Sequence, residues 1–207
     1  MNSSIAKIDE ALLDVRKAYR LLHDYQRMAL DAIGYIGKQL DMTYFGGFAK
    51  FSDTTPREGK GGLDFWAWDW LNMMEYEFHF TQDIDGGTVL RLSILLISDT
   101  GYFCSENETL DQTNVSDFLA PEQSFTEVCF ILSGNNWPDT SFMEDKKVMK
   151  SFIETRGTLP AEIAAEGIIG KCCNFSRLAS EEDTNVLIDE LIACANRAGI
   201  PLKRLKS

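Results

Sequence analysis

Basic side chains are nearly missing from the middle of this 207-residue sequence. From Gly61 to Asp145 there is one, Arg91, against sixteen Asp and Glu, a net charge of −15. The rest of the chain carries nineteen basic and sixteen acidic residues, so the whole excess of negative charge lies in that span. Such a span repels phosphate backbones, which excludes direct nucleic-acid binding through it. Like-sign charge on one surface instead steers a basic partner.

Histidine is also scarce. With only His23 and His79, any Ser–His or Cys–His catalytic arrangement must use one of them, and no Gly-x-Ser-x-Gly elbow occurs. His23 falls on the charged flank of a helix beside Asp24, a solvated position. The five cysteines, Cys104, Cys129, Cys172, Cys173 and Cys194, form no Cys-x-x-Cys pair and have no histidine at ligand spacing, so no zinc site is expected. They sit in apolar runs such as "VCFIL" and "LIACA" and read as buried thiols. No window approaches the ~18 apolar residues that span a bilayer, and charges interrupt the N-terminal stretch where a signal peptide is apolar. A cytoplasmic protein with no membrane association is the expectation. "GKGG", inside "SDTTPREGKGG", lacks the spacing of a phosphate-binding loop and reads as an ordinary loop.

The clearest element present is N-terminal. Ile5, Ile8, Leu12, Val15, Tyr19, Leu22, Gln26, Ala29, Ile33, Ile36 and Leu40 alternate three and four apart, a heptad-like seam with one polar interruption at Gln26. This predicts a long helix over 4–40, capped by Ser3 or Ser4. Its length would be ~55 Å, against a radius of gyration near ~17 Å for a globule of this size. Either Gly34 and Gly37 bend or end it, or part of the seam packs on another chain. The preferred reading lays it on a sheet; a homodimer through the helix is the alternative.

"MEYEFHFTQDIDGGTVLRLSILLIS" has two β-rich runs around an Asp-Gly-Gly turn and predicts a hairpin, which "GYFC" could extend. "FTEVCFILSG" and "IIGKCCNFSRL" read as further strands, and "TYFGGFAKF" as a short strand or turn. "VMKSFIETRG" suits a helix at least as well as a strand, and "LPAEIAAEG" a helical turn or two. A C-terminal helix over 181–198 is marked by Ser180 before three acids and by Gly199 and Pro201 after it. The tail "PLKRLKS" reads as a solvated end. Strands joined by turns between terminal helices predict one α+β domain over 1–207. Its sheet region, 71–178, would be mainly antiparallel with about four to six strands.

Two stretches invite chemistry. In "EYEFHF", Glu75, Glu77 and His79 share one face of a strand, with Tyr76, Phe78 and Phe80 on the other. Two carboxylates and an imidazole so spaced can hold a divalent ion or form an acid–base pair. A half-exposed strand reads the same way, polar side out, and the paired run offers Arg91 and Ser93 rather than a further ligand. No metal and no cofactor is therefore expected. "DFWAWDW" alternates Trp66, Trp68 and Trp70, each able to bury on the order of 200 Å², as core or as a recognition platform.

Together these predict a non-enzymatic acidic protein-binding protein, of immunity or inhibitor type or an accessory subunit. It would engage a basic partner through 61–145, with Asp64, Trp66, Trp68, Asp69, Glu106, Glu108, Asp111, Asp139, Glu144 and Asp145 as contacts. One alternative is a small-molecule- or metal-dependent enzyme centred on Glu75, Glu77 and His79. Another is a structural protein that self-assembles through its first helix.

Overall fold

The computed structural model describes residues 2–50, 74–84, 87–105, 115–135 and 145–205, with side chains from residue 7 onward. The chain divides into two compact units, Met1–Ile36 and Gly37–Ser207.

The first unit is most of helix α1, Asn2–Gln39. Its 38 residues span ~57 Å at 1.5 Å each. It starts at Asn2, so Ser3 and Ser4 lie inside its first turn rather than capping it. It also runs unbroken through Gly34 and ends two residues after Gly37, so neither glycine divides it. Every residue from Lys7 to Leu21 is exposed, whereas Ala29, Ile33 and Ile36 are buried.

The second unit is built on five strands: β1 Thr43–Ala49, β2 Glu75–Ile84, β3 Thr88–Ile97, β4 Glu127–Gly134 and β5 Ile169–Asn174. They form one antiparallel sheet in the order β1-β2-β3-β4-β5, so each strand pairs with its neighbours in sequence. The predicted α+β class with a mainly antiparallel sheet is thus the observed one. The hairpin is present, with Ile84 opposite Thr88. "GYFC" does not extend it. Those residues form a helical turn, α2 (Gly101–Cys104), whose first N–H donates to Asp99 Oδ1 at 2.7 Å.

Successive side chains on a strand point to opposite faces, and the register aligns them in rows. On one face the rows are Glu75–Ile97–Glu127–Asn174, Glu77–Leu95–Cys129–Cys172 and His79–Ser93–Ile131–Gly170. The apolar members of these rows pack with α2, with α3 (Lys146–Glu154) and with residues around α4 (Ala161–Ala164). That cluster joins Leu95, Ile97, Cys129 and Ile131 to Phe103, Met149, Phe152, Ile153 and Leu159. On the other face Phe78, Phe80, Leu92, Ile94, Val128, Phe130 and Leu132 are also buried. β3 and β4 are buried on both faces, which is why "SILLIS" and "VCFILS" read as continuous apolar runs.

The ambiguous "VMKSFIETRG" is helical. Asp145 caps α3 by accepting from the N–H groups of Lys147 (2.8 Å) and Val148 (3.2 Å), and Met149, Phe152 and Ile153 make its buried stripe. Gly157 ends the turn after α3 at φ +104°, where an added Cβ would run into the Lys171 backbone of β5. The C-terminal helix α5, Glu181–Arg197, is capped by Ser180 Oγ, which accepts from Asp183 N–H at 3.1 Å.

Two expectations are corrected here. The basic tail is docked, not solvated: Leu202 is fully buried, Arg204 donates to Asn185 and Asp189 of α5, and Leu205 N–H donates to Gln39. The cysteines are not all thiols either. Cys129 and Cys172, directly opposite on β4 and β5, are joined as a disulfide, leaving Cys104, Cys173 and Cys194 free. Spacing in sequence, 43 residues, gave no sign of this pairing, which depends on strand register.

Candidate functional site

The alternation in "EYEFHF" puts Glu75, Glu77 and His79 on one face of β2, as expected, but its two carboxyls are buried and His79 is half-buried. Glu75 is 3 % exposed and Glu77 1 %. The polar-side-out reading fails because both faces of β2 are largely buried along its first half, a property of the assembled fold rather than of the strand. The second unit brings three further groups to this place. Lys50, just past β1, sets its Nζ 3.3 Å from Glu77 Oε2, and its N–H donates to Glu75 O. His79 Nε2 lies 3.1 Å from Glu77 Oε1, with the ring edge-on to Phe48 at 5.3 Å between centroids. Ser93, on β3, is directly opposite His79.

The two carboxyls are pushed in opposite directions. Burial raises Glu75 to about 8, with Lys50 pulling down and Glu77 pushing up, so it is protonated at neutral pH. Its Oε1 has no hydrogen-bond partner among the described residues. Burial also acts to raise Glu77. The close approach of the His79 ring, the charges of Lys50 and His79 and the nearby Ser93 hydroxyl together outweigh burial and hold it below the usual carboxylate range. The result is a neutral carboxylic acid two residues from a carboxylate in a dry environment. Such a pair can donate a proton at one atom and accept one at the other. Among the described residues no three His, Cys, Asp or Glu side chains converge as a metal-binding group.

Lys50 was missed in the sequence because nothing local ties "AKF" to "EYEFHF"; the link is the β1–β2 register. Glu127 and Arg156 were missed for the same reason. Glu127, in the cross-strand row of Glu75, is 1 % exposed and accepts from Arg156 Nη1 at 2.7 Å.

The predicted partner contacts fare differently. Asp64, Trp66, Trp68, Asp69, Glu106, Glu108, Asp111, Asp139 and Glu144 lie outside the described residues, as does Trp70. Asp145 is described, and its carboxylate is engaged as the α3 cap. His23, as expected, is exposed on α1 with Nδ1 3.3 Å from Asp24. The apolar residues of α1 are the other notable surface: Ile8, Leu12, Leu13, Val15, Tyr19 and Leu21 are 45–72 % exposed.

A family model described as PM0109 matches residues 6–200, which takes in α1, the whole sheet and α5. The chain belongs to the PM0109 family. No curated protein and no solved structure matches this PM0109-family chain. Among its described residues no helix is long and apolar enough to cross a membrane.

Proposed function

We propose that this PM0109-family protein works by holding another protein rather than by turning over a substrate. The observation that carries the reading is the uncovered face of α1. Ile8, Leu12, Val15 and Tyr19 recur at heptad spacing, each about half exposed, on a stretch where every residue from Lys7 to Leu21 is exposed. A contiguous apolar face rimmed by charges is the mark of an interaction surface. The −15 span over 61–145 adds a steering field for a basic partner, as an immunity-type, inhibitor or accessory protein in the cytoplasm would use. The test is capture of partner proteins by the tagged full chain, by wild type and by Leu12→Asp, at low and high salt. Capture lost in Leu12→Asp supports the α1 face, and capture weakened by salt supports the acidic span. Capture indifferent to both would overturn the reading.

A second reading has its own observation, the opposed protonation of Glu75 and Glu77 beside His79, which suits an acid–base site for a small molecule. A thermal-shift screen of small molecules should then give a ligand that raises the wild-type Tm and loses its effect in Glu77→Gln. A screen in which every stabilising compound acts equally on Glu77→Gln would leave the cluster a structural ion-pair network.

A further inference from the structure

The flanks of the α1 face identify what covers it. With Ile8, Leu12, Val15 and Tyr19 as the seam, Asp9 and Arg16 follow Ile8 and Val15 on one flank. Ala11 and Ala18 precede Leu12 and Tyr19 on the other. On the outer side of the helix Lys17 pairs with Asp14 at 2.9 Å and Arg27 with Asp31 at 3.9 Å, while Lys7, Glu10 and Arg20 there point away from the seam and have no ion-pair partner among the described residues. Among the described residues neither Asp9 nor Arg16 has an ion-pair partner. Over Asn2–Gln39 there are six basic and five acidic residues, a net charge of +1, so this helix carries none of the repulsion of the acidic span.

The geometry points to a second copy of this chain as the occupant, with its α1 packed antiparallel on the first about a twofold axis near residues 13 and 14. This rests on the reading of that face as a protein-binding surface. In an antiparallel pair of helices like flanks meet, whereas in a parallel pair opposite flanks do. The antiparallel arrangement sets Leu12 level with the partner's Val15, and Ile8 level with the partner's Tyr19. One flank then brings Asp9 to the partner's Arg16, and symmetry makes that contact twice. The other brings Ala11 to the partner's Ala18, where small side chains let the axes approach closely. A parallel pair would set Ala11 against the partner's Arg16 and satisfy neither charge. The antiparallel overlap covers residues from about 5 to 22, ~27 Å of helix. It leaves Gln26, the polar interruption of the seam, outside the contact.

The experiment is sedimentation equilibrium of the full chain as wild type, Asp9→Arg, Arg16→Asp and an equimolar mixture of the two variants. Both substitutions are at exposed sites, and far-UV circular dichroism checks that the fold is kept. Wild type is expected to dimerise. Each variant alone should associate roughly tenfold more weakly, because both flank contacts become like-charged. The mixture should recover wild-type association, since in the mixed dimer every flank contact is again opposite in sign. Variants that dimerise as wild type does, or a mixture that fails to recover, overturn the pairing. A wild type that stays monomeric at about 100 μM, a Kd equivalent to about −5.5 kcal/mol, also overturns it. In that last case Leu12→Asp separates the two levels. If it abolishes capture of a different protein, the protein-binding reading stands while self-pairing falls; if it changes nothing, both fall.

Discussion

Glu75 and Glu127 flank Ile97 in one cross-strand row, yet among the described residues only Glu127 has a cation in hydrogen-bond contact, Arg156 at 2.7 Å. Glu75 meets its burial by keeping its proton. A carboxyl raised to about 8 in the fold holds that proton over a range where the unfolded chain has released it. Its contribution to stability is therefore full below the unfolded value near 4.5 and is lost as pH rises towards about 8. Glu77 has the opposite sign: its contribution is present above the ordinary value and lost as pH falls. Glu75→Gln keeps the neutral shape and removes the titration. The Tm of the variant minus that of wild type should grow steadily from about pH 5 to about pH 8, measured by calorimetry. A difference that stays constant would show that Glu75 does not hold its proton there. Gly157 makes a second residue-scale case. At φ +104° and against the Lys171 backbone it has no room for a Cβ, so Gly157→Ala should lose roughly 2 to 4 kcal/mol in urea unfolding.

At the scale of elements, α3 shows how a charged residue can be conscripted by local structure. Asp145 closes the acidic span in sequence, but its carboxylate satisfies the first N–H groups of the helix. Asp145→Asn should leave stability within a few tenths of a kcal/mol, since either side chain caps, whereas Asp145→Ala should cost about 1 kcal/mol. Equal losses in the two variants would mean that the charge, not the cap, is what matters. The same contrast explains what the sequence made legible. The hairpin, α1 and α5 announce themselves through turn residues, periodicity and caps, all local signals. The burial of Glu75 and Glu77 does not, because a strand alternates identically whether its polar face meets water or the interior. On the same face α2 and α3, whose residues lie far along the chain, pack on β3 and β4, and Lys50 reaches Glu77 only through the β1–β2 register. "GYFC" misled because its aromatic residues suit a strand. It turned helical because Asp99 and Thr100 hold its first turn.

For the whole molecule, charge and redox state bear on where and how it acts. Among the described acids of 61–145, Glu75, Glu77 and Glu127 are buried, so these three add little to a steering field. The Cys129–Cys172 bridge makes the number of free thiols depend on the redox surroundings, since such bridges form in oxidising and are lost in reducing ones. The denatured, unreduced chain should take up alkyl groups at Cys104, Cys173 and Cys194 alone, and at all five cysteines after reduction, by mass spectrometry. Five groups before reduction would mean that the pair is held as thiols. In the folded chain Cys173, pushed up to about 11 by burial, should react last.

The sheet order β1-β2-β3-β4-β5 has a consequence for biosynthesis. Since no strand has to wait for one made much later, each can dock on its predecessor as the ribosome delivers it. Among the described strands only β1 and β5 remain as edges when the last one arrives. Assembly then runs in the same direction as translation.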